Sequence, residues 1–396
     1  MLVGGGSGGH IYPNLAVVER LRERGVDLAP HLVVSRRPLD AQIAEESGLG
    51  FTAVPAAPLS VRPAGAARFW MQYRAGQKAV ARLIDQTSAQ AVIATGGFVS
   101  GPAVAAAKKR GVPVALVSLD AVPGRANRFA AKKATRVFSA FPVHAEAKPL
   151  PRAEVVGYPL RRAAAAQTSP ADARRHFGLK PDALTFLVFA GSQGAQTINR
   201  AVIEWVRAEA FEAAKDWQIL HVTGRNELEE VSAGYMALCT DGQRTLTLDT
   251  DVDPHGYAES SDKDEAQPME RGLLIKPIPF CDRMDLAWRA ADAALTRAGA
   301  GTVAEAWANA VPCVMLPYPY HKDQHQKHNA APLVERGGAV VVDDLIDPAQ
   351  NAVQLAAIFA SVLRDEATRT RMSGALRNRP PDDGAEHLAR WVADRI

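Results

Sequence analysis

Gly4-Gly5-Gly6-Ser7-Gly8-Gly9-His10 begins three residues into the chain, and Gly191-Ser192-Gln193-Gly194-Ala195 follows the apolar run Leu184-Thr185-Phe186-Leu187-Val188-Phe189-Ala190. Each glycine cluster separates a strand-like segment from a helical one. Glycine lets the backbone approach a ligand, and the helix behind it offers free N–H groups and its positive dipole end to an anion. A chain with two such units is expected to be α/β, with two Rossmann-like, doubly wound parallel-sheet domains facing a cleft. That architecture suits joining a nucleotide-carried group to a second substrate.

The surrounding sequence repeats this scheme. His31-Leu32-Val33-Val34, Ala91-Val92-Ile93-Ala94 and Val114-Ala115-Leu116-Val117 are expected to be buried parallel strands, with alanine-rich helical stretches such as 102–110 between them. In the second half, strands are expected at 184–190, 218–223, 272–276, 292–295, 313–316 and 339–342. The turn at Gly157-Tyr158-Pro159 and the polar stretch 167–170 mark a boundary, giving a first domain over 1–160 and a second over 161–375. Residues 225–270 are polar and acid-rich without clear periodicity, and are expected to form a partly disordered surface insertion. Leu388, Trp391, Val392 and Ile396 fall at helical spacing, so 376–396 is expected to form a helix that crosses back to the first domain. Only Met1-Leu2-Val3 precede the first loop, which calls for either a very short first strand or an earlier start than the one written.

Composition narrows the class. Hydrophobic residues make up 47% of 396 and charged residues 22%, ordinary for a globular protein with two cores. No apolar run reaches the length of a membrane span, and no signal pattern opens the chain. The three cysteines, Cys239, Cys281 and Cys313, lack CxxC spacing, which argues against disulfides and a zinc site and suits a cytoplasmic location. Charge is unevenly divided. Residues 1–160 hold 20 basic and 10 acidic side chains, net +10, and the remainder 26 and 33, net −7. A basic first half points to an anionic partner such as a phosphorylated substrate or lipid headgroups, or else is an ordinary solvated surface.

Gly4-x-Gly6-x-x-Gly9 formally matches the dinucleotide fingerprint, but Val33-Val34-Ser35-Arg36-Arg37 stands where a ribose-binding acid belongs. Those arginines keep an NADP-dependent oxidoreductase as a rival reading, although it leaves the second glycine loop without a role. His10, at a helix start beside the glycines, is a candidate general base, its alternative being a backbone-bonded helix-start histidine. Gly96-Gly97-Phe98-Val99-Ser100-Gly101-Pro102 follows a strand and fits a second wall of the crevice, or a plain strand-to-helix turn. Asp120, after the 114–117 strand, is a second candidate acid or base. Gly299-Ala300-Gly301-Thr302 opens a helix suited to a diphosphate, with Glu305 one turn in, as a ribose acceptor or simply a favourable first-turn acid. His321-Lys322-Asp323-Gln324-His325-Gln326-Lys327-His328-Asn329 holds three histidines, but its amides favour sugar hydroxyls over a metal. Asp249-Thr250-Asp251 resembles a metal-binding DxD motif but lies in the irregular segment, which favours a solvated acidic loop.

Seven segments in order, GGGSGGHIYPNLAV (4–17), GGFVSGP (96–102), DAVPGRAN (120–127), GYPLR (157–161), GSQGAQTIN (191–199), RAGAGTVAE (297–305) and HKDQHQKHNAAPL (321–333), resemble the MurG family. These are bacterial glycosyltransferases of family 28 that move N-acetylglucosamine from UDP-GlcNAc to lipid I in peptidoglycan synthesis. The similarity spans most of the chain outside the insertion and the last few dozen residues. It implies a GT-B fold, inversion at the sugar carbon, no cofactor and no metal requirement. It implies donor contacts from Arg161, Ser192, Gln193, Gly194, Phe280, Cys281, Ala300, Gly301, Thr302, Glu305, His325, Gln326 and Asn329. Ser7, Gly8, Gly9, His10 and Asn127 in the first half are implied in the same role. A lipid-linked muramyl-peptide diphosphate acceptor is implied at Gly5, Gly6, Gly9, Gly96, Gly97, Phe98 and Ser100.

The expected reaction is one inverting displacement, with His10 as base and Asp120 as alternative, and Arg161 assisting helix N-termini at the leaving diphosphate. Phe69, Trp70 and Tyr73 beside Arg62, Arg68 and Arg74 are expected either to dip into anionic lipid on the inner face of the cell membrane or to face a core. No nucleic-acid partner is implied. The family's HEQNAVPG segment reads here Val117-Ser118-Leu119-Asp120-Ala121-Val122-Pro123-Gly124, three polar groups fewer. His325 replaces the first of two paired glutamines, and Gly301 stands where a bulkier residue is common. Two further readings remain: a diacylglycerol glycosyltransferase of the same fold, and a nucleotide-sugar-binding subunit without turnover.

Overall fold

The computed structural model describes residues 1–58, 63–143, 150, 152–191, 194–208, 217–239, 246–249, 273–378 and 381–396. Two units emerge, Met1–Arg162 with Pro381–Ile396, and Ala163–Pro380.

The sheet of the first unit holds β1 (Leu2–Val3), β2 (His31–Ser35), β3 (Gly50–Val54), β4 (Val92–Ala94), β5 (Val114–Ser118), β6 (Arg136–Ser139) and β7 (Ala153–Val155). All pairs are parallel, in the order β3-β2-β1-β4-β5-β6-β7. Helices α1 (Gly8–Glu23), α2 (Pro38–Glu46), α3 (Pro63–Thr87), α4 (Ser100–Lys109) and α5 (Arg125–Ala131) connect the strands. The central strands are apolar throughout because helices cover both faces. Within the sequence as given β1 has two residues, and it sits at the sheet centre between β2 and β4. Its ladder continues through Gly4 N–H to Val33 O at 3.1 Å and Thr95 N–H to Val3 O at 3.0 Å.

In the second unit, β8 (Leu184–Phe189), β9 (Trp217–Val222), β10 (Leu246–Leu248), β11 (Leu273–Ile278), β12 (Ala293–Thr296), β13 (Cys313–Met315) and β14 (Ala339–Val341) form a parallel sheet. The order is β10-β11-β9-β8-β12-β13-β14. Its helices are α6 (Pro170–His176), α7 (Gln196–Arg207), α8 (Leu228–Cys239), α9 (Met284–Ala290), α10 (Ala300–Ala308), α11 (His325–Glu335), α12 (Pro348–Ile358) and α13 (Glu366–Arg377). Phe186, Trp205, Trp217 and Phe359 interlock at the core, the Trp205 and Phe359 rings 4.2 Å apart.

Both sheets therefore have the doubly wound form expected. The six strands expected in the second half are present, and β10 adds a seventh. That strand comes from the segment expected to be an irregular insertion. There α8 buries Val231, Tyr235 and Leu238, and Asp249 pairs at 2.7 Å with Lys276, a buried lysine of β11. The rest of that segment, 240–245 and 250–270 with the Asp251 motif, lies outside the described residues.

Residues 381–396 belong to the first unit, where α14 (Gly384–Ala393) packs on α1. Buried Arg20 of α1 fastens that return, donating to Asp383 Oδ2 at 2.9 Å and Leu160 O at 3.0 Å.

Candidate functional site

In an open α/β sheet, ligands bind beyond the C-terminal strand ends where the strand order reverses. In the first unit that point lies between β1 and β4, and in the second between β8 and β12. Both sequence-derived glycine clusters leave strands at these points.

In the first unit the glycine loop is built by close backbone approach. A Cβ on Gly97, whose φ is +75°, would collide with Gly5 O, and one on Gly5 would lie 2.7 Å from Asp40 Oδ2. Asp40, fully buried in the first turn of α2, accepts from Gly6 N–H at 2.6 Å and Ser35 Oγ–H at 2.5 Å. Arg37 donates to Gly6 O at 2.6 Å. Both backbone groups of Gly6 are thus tied down. The carboxylate missing from the end of β2 comes instead from Asp40 and binds the loop itself, and Arg37 is likewise spent on that loop. This arrangement counts against the dinucleotide reading of Gly4–Gly9.

His10 is half-buried on the first turn of α1, its Nδ1 3.2 Å from Ser7 Oγ. Its carbonyl accepts from Thr95 Oγ1 at 2.5 Å and Asn14 Nδ2 at 3.2 Å, which fixes the start of α1 to the β4 loop. Burial lowers the His10 pKa below the usual histidine value, while the charges of Asp120 and Asp40 pull it partway back. The imidazole is consequently neutral at pH 7, the form a base requires. Ser7 and Gly9 are exposed and Gly8 half-buried beside it. Pro13 in α1 has no N–H for the Gly9 carbonyl, which instead accepts from Tyr158 Oη–H at 3.3 Å.

The 96–102 loop lies against the same histidine, with Gly96 under the ring and Phe98 exposed. Ser100 is fully buried and donates to Gly96 O at 2.6 Å while accepting from Gly96 N–H, so its hydroxyl shapes the loop. Asp120 is half-buried at the end of β5, and Asn127 lies in the first turn of α5. Arg161 belongs to this first unit, where its guanidinium pairs with Glu19 at 2.9 Å.

In the second unit Gly191 and Gly194 have φ of +87° and +73°, and a Cβ on Gly194 would collide with Thr223 O. Ser192 and Gln193 lie outside the described residues. A buried relay supports the loop from below. Tyr235 Oη–H donates to His221 Nδ1 at 2.9 Å, His221 Nε2–H to Asn199 Oδ1 at 3.1 Å, and Asn199 Nδ2–H to Thr223 O at 3.0 Å. On the β12 side, Ala300, Gly301 and Thr302 form the half-buried first turn of α10, behind the extended N-cap Gly299. Glu305 Oε2 accepts the Trp288 indole N–H at 2.9 Å, and burial raises its pKa, partly offset by that bond.

Phe280 carries the Arg225 guanidinium 4.6 Å above its ring. Cys281 beside it is buried, and burial pushes its thiol up to about 12, making it an apolar filler at neutral pH. On α11, Gln326 accepts Tyr318 N–H at 2.8 Å, and fully buried Asn329 donates to Ala298 O at 3.3 Å. His325 holds Asp323 at 2.9 Å through Nδ1. Buried Arg297 bonds Asp344 at 2.8 Å and Thr197 at 2.7 Å, clamping the α7 start to the β12 loop.

Sequence reasoning missed Asp40, Trp288 and Arg297. Asp40 and Trp288 stand outside any glycine motif, and their roles arise only from packing. Arg297 opens the RAGAGTVAE segment, yet nothing in the motif says that its side chain turns into the protein. Chemically, the first unit offers a neutral imidazole beside a backbone-lined loop. The second offers two glycine-flanked helix starts and a carboxylate, a set matched to diphosphate and hydroxyl groups.

Residues 1–139 match the glycosyltransferase family 28 N-terminal domain, and 185–376 match the family's C-terminal domain. A relative from a Nocardioides species is 33% identical over 100% of this chain and 97% of its own length. One from Acidothermus cellulolyticus is 34% identical over 99% and 96%. Both are named UDP-N-acetylglucosamine–N-acetylmuramyl-(pentapeptide) pyrophosphoryl-undecaprenol N-acetylglucosamine transferase. The crystal structure of Acinetobacter baumannii MurG superposes with a TM-score of 0.67 at 22% identity, covering 99% of this chain and 98% of that one.

Proposed function

The chain belongs to glycosyltransferase family 28, and from that premise we propose that it transfers N-acetylglucosamine from UDP-GlcNAc to lipid I, forming lipid II. The observation that carries this reading is similarity along the whole chain to relatives that share one name. The glycine loops at both switch points agree with it.

In this reading the second unit holds the donor. The α10 start and the Gly191–Gly194 loop meet the diphosphate, Glu305 accepts from the ribose, and Gln326 addresses the sugar, while buried Asn329 holds Ala298 O. The first unit meets the acceptor through Gly5, Gly6, Gly96, Gly97 and Phe98. The muramyl C4 oxygen attacks the anomeric carbon as the bond from that carbon to the diphosphate oxygen breaks with inversion. The hydroxyl proton passes to His10 Nε2. That step requires the tautomer in which Nδ1–H donates to Ser7 Oγ. Helix N-termini stabilise the charge that develops on departing UDP.

The acceptor is lipid-linked, and α3 suits a membrane surface. Trp70 and Met71 are 50% and 62% exposed, and Phe69 packs edge-on to Trp70 at 5.3 Å. Arg68, Arg74 and Lys78 are exposed on the same helix, and exposed Phe129 of α5 lies 6.2 Å from the Tyr73 ring. Tyr73 itself is buried, donating to Gly101 O at 3.1 Å, so it anchors the patch from the core side. Arg62 lies outside the described residues. Among the described residues no helix is long and apolar enough to cross a membrane. The exposed aromatic and basic patch on α3 is what supports a peripheral location, on the inner face of the cell membrane in this reading.

Acceptor choice tests the proposal. With UDP-GlcNAc as donor, mass spectrometry should find one added GlcNAc on a lipid I analogue and none on diacylglycerol. Glycosylated diacylglycerol with untouched lipid I analogue would overturn it.

A further inference from the structure

The loop between β13 and α11 gathers His321, Asp323 and His325 on one side of a tight turn. Gln324 takes a left-handed conformation, φ +45°, and its N–H bonds to His321 O at 3.0 Å. This turn aims three side chains at one point although they alternate along the sequence. Their ligand atoms all lie within 4.8 Å of one another. Asp323 Oδ1 and His325 Nδ1 are 2.9 Å apart, and the two imidazole rings have centroids 4.5 Å apart at 76°. His321 is backed by the Tyr318 ring at 4.9 Å, which itself lies under the buried Arg297 at 5.7 Å. The donors are pre-arranged and partly braced, while the open side faces solvent.

We propose that His321, Asp323 and His325 form a binding site for a divalent transition-metal ion, with Zn²⁺ the best match. Two imidazoles and one carboxylate are ligands that suit Zn²⁺, Co²⁺ or Ni²⁺, whereas Mg²⁺ and Ca²⁺ prefer all-oxygen sets. Zn–N bonds of about 2.0–2.1 Å put tetrahedral ligand atoms about 3.4 Å apart. The observed spread of up to 4.8 Å closes to that by about 1.4 Å of side-chain movement, which exposed His321 and Asp323 can supply toward half-buried His325. Three protein ligands leave a fourth position for water. His325 is shared with the donor contacts that the family resemblance implies. It ties the 318–325 loop to the first turn of α11, next to Gln326.

The test uses full-length, untagged protein freed of metal by chelation and gel filtration, titrated with ZnCl₂ by calorimetry without nucleotide. One saturable site is expected, together with a rise in melting temperature by mass action. His321→Ala and Asp323→Asn each weaken Zn²⁺ binding by at least about tenfold. His387→Ala, on α14 in the other unit, leaves it unchanged. Equal melting temperatures of the metal-free variants show that they fold. No saturable binding, binding that survives both loop substitutions, or Mg²⁺ binding as tightly as Zn²⁺ would overturn the site. None of these readouts involves sugar transfer, so the proposal stands or falls apart from the assigned activity.

Discussion

The His10 ring occupies the space where Gly96 would carry a side chain. A Cβ built on Gly96 lies 2.6 Å from His10 Cδ2 and 2.8 Å from Nε2, and Gly96 has φ +122°. Only glycine fits this conformation and this contact. Gly96→Ala is therefore expected to push the imidazole off its position. Turnover should fall at least about a hundredfold, in line with loss of a general base in His10→Ala. UDP-GlcNAc affinity, measured by calorimetry, should change far less, and circular dichroism checks the fold. Near-normal kcat in either variant would remove His10 from the base role.

Glu305 is held by the Trp288 indole at 2.9 Å. Glu305→Gln replaces a charged acceptor by a neutral one, a loss of about 1.5–3 kcal/mol for a hydrogen bond to a charged group. The KM for UDP-GlcNAc should rise about tenfold or more while kcat stays within a few-fold. Steady-state kinetics at varied donor concentration reads the split. An unchanged KM would show that Glu305 is only a first-turn acid.

His221, at the centre of the Tyr235–His221–Asn199 relay, has its pKa lowered to about 3 by burial. An unfolded histidine titrates near about 6.5. Between these values the unfolded chain binds a proton that the native one does not, so stability rises with pH there. The contribution is complete above about pH 6.5 and is lost as pH falls toward 3, at up to about 1.4 kcal/mol per pH unit. Urea unfolding at pH 7, 5 and 4 should show this slope, and His221→Gln should flatten it. Tyr235→Phe, which removes the donor to Nδ1, should cost about 1–3 kcal/mol at pH 7.

Trp70 is half exposed beside Arg68 and Arg74. Trp70→Asp should weaken binding to phosphatidylglycerol vesicles at least about tenfold, or about 1.4 kcal/mol. Wild-type binding should fall as salt screens the basic side chains. Activity on a short-chain, water-soluble acceptor should be unaffected. Vesicle sedimentation that does not distinguish the two proteins would exclude α3 as the contact.

Apolar runs such as Leu184–Phe189 and Val114–Val117 announced their strands because parallel strands covered on both faces are predominantly apolar. Gly50–Val54 and Ala153–Val155 gave no such signal. The former is half-exposed with Gly50 at its start, and the latter carries Glu154 on the sheet edge. Within 225–270, α8 was missed although Val231, Tyr235 and Leu238 recur at helical spacing, because the acid-rich stretches around it hid that short pattern. At the site, glycines and His10 were legible from local pattern. Asp40 was not, because its partner Gly6 lies 34 positions away and the match depends on how α2 leaves the sheet. Ser100 and Tyr73 were legible as residue types, but their hydroxyls turned out to be committed to Gly96 and Gly101.

Release of UDP from UDP-GlcNAc, with and without a lipid I analogue in EDTA, tests the assigned activity most directly. The predicted result is UDP release that depends on the acceptor and persists under chelation. No acceptor-dependent release, with UDP-GlcNAc still bound, would contradict it and leave a nucleotide-sugar-binding protein without this transfer.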